Sequence, residues 1–259
     1  MADVLFEREA QALCITLNRP TARNALTQDV VRLVTGALES AATDASVRVV
    51  VLTGAGGHFC AGADLRKTFE DDPDLLDHLG PYMSEYHALI RAIVRCPKPT
   101  LAVLDGASVG FGADLALACD LRVASSRAYL EERFVKIGLM PDGGGTFWLP
   151  RLVGTARAMQ MMMLAERLDA ETMRELGLVI SVSAPDALGS AARAVAGRLA
   201  KGPPLAFAAI KSAVYASWGD LEEALRRERE SQLLLLRSKD AMEGIASFLQ
   251  KREPCFEGS

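Results

Sequence analysis

Two aspartates and two runs of small residues carry the clearest capacity for chemistry in this chain. Asp142 lies in Pro141-Asp142-Gly143, ahead of Gly144 and Gly145, and Asp114 follows Gly110-Phe111-Gly112-Ala113. A carboxylate in such a place is either a proton acceptor for a substrate or a cap for backbone N–H groups. The small-residue runs are Ala61-Gly62-Ala63-Asp64-Leu65 and Gly106-Ala107-Ser108-Val109-Gly110-Phe111-Gly112-Ala113. Small side chains let main-chain N–H groups approach a ligand, although close packing is the alternative use. The second run leads into a helix, whose free N–H groups and dipole favour developing negative charge. Two converging N–H groups are what an oxyanion requires. His58 and His87 read as ordinary surface or packing histidines.

The elements that must position these groups are legible as periodicities. Ala12 to Leu17 and Arg48 to Thr53 are β-prone apolar runs, and Thr100 to Leu104 is the next one. Leu26, Val30, Val34 and Leu38 recur at helical spacing, with Thr27 as N-cap. Residues 66–80 are charged and carry Pro73, which predicts a loop or short helix, and Pro81 to Cys96 is helical. From Gly154 onward helical stripes dominate, two of them separated by Pro203-Pro204. The division expected is an α/β core over residues 1–195 and a helical region over 196–259. Those C-terminal stripes complete their core either on the chain itself or against another subunit.

Composition narrows the function classes. The 259 residues carry a net charge of −4, half of them are apolar, and no basic stripe suggests a nucleic-acid partner. No apolar run reaches the ~18 residues of a membrane span, and the start of the chain lacks a signal-peptide pattern. The cysteines at 14, 60, 96, 119 and 255 form no pair or His/Cys cluster, so neither a metal nor a disulfide framework is expected. A reducing cytoplasm is the setting these features predict.

Taken in order, Asn18-Arg19-Pro20…Asn24-Ala25-Leu26, Ala61-Gly62-Ala63-Asp64-Leu65, Gly110-Phe111-Gly112…Cys119-Asp120 and Gly138…Pro141…Gly144-Gly145-Thr146 resemble the crotonase (enoyl-CoA hydratase/isomerase) superfamily. The resemblance runs from about residue 3 to residue 256. It implies an α/β fold, a spiral of ββα units with a C-terminal helical trimerisation region, assembled as a homotrimer or dimer of trimers. It implies a coenzyme A thioester as substrate and no other cofactor. The thioester oxygen would sit between the backbone N–H groups of Ala63 and Phe111. The resemblance also carries Arg23, Ala61, Asp64, Leu65, Arg66 and Lys251 over as CoA-binding positions, Lys251 often from a neighbouring subunit. For the basic residues, a solvated surface charge is the alternative.

The sequence departs from the resemblance where a hydratase would hold its two glutamates. The first position is Asp114 and the second is Phe134, counted from Gly138; Glu131 and Glu132 are two and three places away. A phenyl ring holds no water and moves no proton. Isomerase branches place an aspartate where Asp142 stands, and the pattern most resembles the ring-opening isomerases of phenylacetate breakdown. The expectation is therefore an enoyl-CoA isomerase with Asp142 as base, Asp114 assisting and Phe134 as an apolar wall. The alternatives are a hydratase using Asp114 with Glu131 or Glu132, a nucleophilic role for Asp142, and a non-catalytic acyl-CoA binder.

Overall fold

Strand residues facing alternately to opposite sides give this chain two apolar layers, because both faces of its main sheet are covered. A computed structural model describes residues 2–77, 79–202, 204–217, 221–252 and 254; Pro203 and Cys255 lie outside them. The chain opens with β1 (Val4–Glu9) and β2 (Ala12–Leu17), then α1 (Gln28–Thr43), β3 (Val49–Gly54), α2 (Leu65–Asp71), α3 (Leu79–Arg95) and β4 (Thr100–Leu104). It continues through β5 (Ala107–Val109), α4 (Phe111–Ala118), β6 (Leu121–Ser125), β7 (Tyr129–Glu131), α5 (Gly145–Val153), α6 (Thr155–Leu164), β8 (Arg167–Asp169), α7 (Ala170–Glu175) and β9 (Ser181–Ser183). Four helices follow: α8 (Leu188–Ala200), α9 (Pro204–Ser217), α10 (Leu221–Leu235) and α11 (Lys239–Gln250).

The main sheet has the order β1-β2-β3-β4-β6-β9, and a smaller one the order β5-β7-β8. In the main sheet β1 and β2 are antiparallel and the later pairings are parallel. Val50, Leu52, Ala102 and Leu104 face the larger core with α1 and α3. Val49, Val51, Leu101 and Val103 face the other side, beneath Leu188, Ala192 and Ala196 of α8. The sequence division at residue 195 thus falls inside α8, a helix that covers the sheet. Burying a leucine such as Leu188 there is worth roughly 1.5–3 kcal/mol.

Local signals account for the elements near the site. Thr27 Oγ1 accepts from the Val30 N–H at 3.4 Å, and Val30, Val34, Leu38 and Ala41 form the buried stripe of α1. The C-terminal helices are tied to the core: Lys211 on α9 donates to Asp120 Oδ2 at 2.8 Å. Leu205, Ile210, Leu234 and Phe248, from α9, α10 and α11, remain exposed. Among the described residues no helix is long and apolar enough to cross a membrane.

Candidate active site

Two small-residue segments run side by side. The Phe59 and Cys60 amides both donate to Ala107 O, at 3.0 and 2.9 Å, and the Val109 amide donates to Cys60 O at 2.9 Å. On the other edge, Leu26 N–H donates to Gly62 O and Asp64 N–H to Leu26 O, both at 2.8 Å. These bonds hold the backbone on either side of Ala63 without using its own N–H. Phe111 is the first residue of α4, so its N–H has no partner within the helix. Among the described residues neither the Ala63 nor the Phe111 amide donates a hydrogen bond. Gly62 explains their closeness: at φ +95° it takes a conformation side chains rarely adopt, and a β-carbon there would lie 2.9 Å from Val109 O and 3.4 Å from Phe111 N. Tyr86 braces both segments, donating to Leu26 O at 3.0 Å and meeting the Phe111 ring edge-on at 4.9 Å.

Asp142 lines the same cavity as Ala63 and Phe111, of about 1140 Å³. Three contacts hold its loop. Gln232 of α10 donates from Nε2 to Asp142 Oδ2 at 2.8 Å and accepts from the Met140 N–H at 3.5 Å. His87 of α3 meets Asp142 O at 2.9 Å, which requires the tautomer with a proton on Nε2. Asp142 Oδ1 is closed to water and receives no hydrogen bond from another described residue. Burial pushes the Asp142 carboxyl up to about 7, with the Gln232 hydrogen bond pulling the other way. Burial likewise pulls His87 down to about 4, so it is neutral at pH 7.

The other carboxylates divide. Asp114 is fully buried and its Oδ2 accepts the Gly143 N–H at 3.0 Å. A β-carbon on Gly145 would lie 2.6 Å from Asp114 Oδ1 and 3.3 Å from Glu132 Oε1, so these two carboxyl groups converge. Neither lines the cavity. Glu131 is directed elsewhere, in an ion pair with Arg133 at 3.2 Å. Phe134 is buried, lines the cavity, and lies 3.8 Å from where a Gly110 β-carbon would sit.

Of the positions carried over for CoA, Arg23, Ala61, Asp64, Leu65 and Arg66 line the cavity. The Asp64 carboxylate is already engaged, capping α2 at Lys67 N–H and pairing with Arg19 at 2.8 Å. Lys251 caps the end of α11 and does not line the cavity, whereas its neighbour Arg252 does. Gln232 is the contact that the sequence left unmarked, and His87, read from sequence as an ordinary surface or packing histidine, is buried and holds the Asp142 loop. Gln232 stands 90 positions from Asp142, and nothing local to either residue signals the pairing.

The enoyl-CoA hydratase/isomerase family model matches residues 7–259. A probable enoyl-CoA hydratase of Rhodobacter capsulatus is 43% identical, covering 98% of each chain. The 1,2-epoxyphenylacetyl-CoA isomerase of Escherichia coli is 36% identical over 100% of this chain and 99% of its own. The crystal structure of an enoyl-CoA hydratase from Mycobacterium avium subsp. paratuberculosis superposes with a TM-score of 0.90 at 39% identity, covering 99% of both chains. The fold is therefore that of the crotonase structures. The chain belongs to the enoyl-CoA hydratase/isomerase family of acyl-CoA enzymes.

Proposed function

We propose that the chain is an enoyl-CoA isomerase in which Asp142 moves an allylic proton. The observation that carries this is the cavity's acidic lining. Among the described residues it consists of Asp64 and Asp142, and Asp64 is already paired with Arg19. The position of a hydratase's second glutamate is filled by the Phe134 ring. In this reading the thioester oxygen accepts hydrogen bonds from the Ala63 and Phe111 amides. Asp142 takes the α proton of a 3-enoyl thioester, and the electron pair left behind spreads to oxygen as a dienolate. Protonated Asp142 then gives the proton to the γ carbon, and the double bond moves to the 2-position. A base whose pKa lies near the working pH suits both halves of that transfer. The N–H pair matters comparably, since one lost oxyanion donor typically costs on the order of 10²–10³ in rate. No cofactor besides the CoA ester itself enters the scheme.

The test pairs 3-enoyl-CoA with crotonyl-CoA in separate assays, on the wild type and Asp142→Asn. Vigorous hydration of crotonyl-CoA without isomerisation would sink the proposal, and so would an Asn variant that isomerises normally. The convergence of Asp114 and Glu132 favours a second reading, hydration by that pair, which retained hydration in Asp114→Asn would remove. The trimer or dimer of trimers belongs to the proposal too, supported by the exposed Leu205, Ile210, Leu234 and Phe248. Light scattering on the purified chain reads it. A cytoplasmic location completes the reading.

A further inference from the structure

We infer that the site selects acyl groups with an uncharged tail and rejects those that end in a second carboxylate. The inference rests on the thioester placement proposed above, but not on which proton moves.

The cavity has two ends of different character. Its basic lining residues among those described are Arg23, Arg66, Arg133, Lys136 and Arg252, and all are exposed. Arg133 is paired with Glu131, and Arg252 with Glu243. A CoA moiety carries several phosphate charges and is too large to be enclosed, so it belongs at this open, basic end. The acyl chain is then left with the closed end. There the wall is Leu79, Met83 and Tyr86 of α3 with Phe111, Phe134 and Leu139, each less than a tenth exposed.

The ionisable groups at that closed end offer a carboxylate nothing. They are Tyr82, Tyr86 and His87 from α3 and Asp142 from its loop. Burial raises the pKa of both tyrosines, so they stay neutral. The Tyr86 hydroxyl donates to Leu26 O and that of Tyr82 donates to Tyr86, both at 3.0 Å. His87 is neutral and its Nε2 is engaged with Asp142 O. Arg91 and Arg229 act on His87 at longer range, and neither lines the cavity. Asp114 and Glu132 converge at Gly145 and bring no cation to the cavity lining. A second carboxylate brought here would lose its water, gain no cation and face Asp142. Absence of a partner for the wrong ligand is a means of discrimination in its own right.

Hexanoyl-CoA and adipyl-CoA test this, because they differ only in a terminal methyl against a terminal carboxylate. Both are saturated and bind without turnover, so the measurement is independent of the isomerase reading. Calorimetry on the wild-type protein gives the two Kd values. At about pH 7.3, only about one in a thousand carboxyl tails of ordinary pKa is neutral. Adipyl-CoA should therefore bind about 10²–10³-fold more weakly, and the ratio should narrow about tenfold for each pH unit lowered toward 5. A charged Asp142 opposes the carboxylate tail and not the methyl, so its protonation as the pH falls through about 7 narrows the ratio in the same direction. A Met83→Lys variant supplies a cation to the closed end and should bring adipyl-CoA to parity or better. Equal affinities (within about threefold) in the wild type at pH ~7.3 would overturn the inference. So would a Met83→Lys protein that binds hexanoyl-CoA but leaves the ratio unchanged. Failure of both esters to bind would overturn it together with the thioester placement.

Discussion

Replacing Asp142 with Asn isolates the cost of keeping a carboxyl in this cavity. Burial moves that group from 3.8 to about 7, and each pH unit of difference is worth about 1.4 kcal/mol between the two protonation states. The product, about 4 kcal/mol, is an upper limit, because Asp142 as a residue keeps partial exposure. The sign follows from linkage. The folded pKa lies above the unfolded one, so between pH 3.8 and about 7 the folded chain holds a proton that the unfolded chain has released. Stability therefore falls as pH rises through that window, and above it the full penalty stands. Asn has no charge to desolvate and keeps a carbonyl oxygen for the Gln232 N–H. Asp142→Asn should therefore be more stable than the wild type at pH ~8 by up to about 4 kcal/mol, and the gain should vanish toward pH ~4. Urea denaturation at both pH values measures it. A gain that does not grow from the acid to the alkaline condition, or a variant less stable at pH ~8, would refute the reasoning. The same substitution should lower isomerase kcat by about 10²–10⁴, the usual contribution of a general base.

Three further outcomes are expected. Gln232→Leu removes the one hydrogen bond from another residue that lowers the Asp142 pKa; the acid limb of the kcat profile should move to higher pH, with KM changed less than kcat, and an unmoved limb would deny Gln232 this positioning role. Gly143→Ala would place a β-carbon 2.7 Å from Asp114 Cβ and 2.9 Å from Phe111 Cε2, so thermal unfolding should register a loss of about 1–3 kcal/mol, as overpacking does. Phe111→Ala keeps the main-chain N–H while removing a buried ring, so its stability loss of about 3–5 kcal/mol should come with a kcat closer to wild type than the 10²–10³ drop of a lost oxyanion donor; a drop of that size would show that the ring, not only the amide, sets the site.

The sequence by itself determined the parts of this protein that depend on neighbours in the chain. Val49 to Leu52 reads as a strand buried on both faces because consecutive side chains point oppositely, and the two faces meet different helices. Gly62 and Gly110 mark the two small-residue segments because both take a positive φ that side chains rarely adopt, and at Gly62 a β-carbon would also press on Val109 O. The departure at Phe134 is a matter of counting back from Gly138. The tertiary structure alone decided which carboxyl meets the cavity. Asp142 and Asp114 are both aspartates near glycines, yet one lines the pocket and the other is turned to the Gly143 N–H. It also decided between Glu131 and Glu132, adjacent residues that point to Arg133 and toward Asp114 respectively. And it joined α3 and α10 to the Asp142 loop through His87 and Gln232, across 55 and 90 positions. A proton's acceptor is chosen by burial and by groups converging from distant elements, and such convergence leaves no period in the sequence to be read.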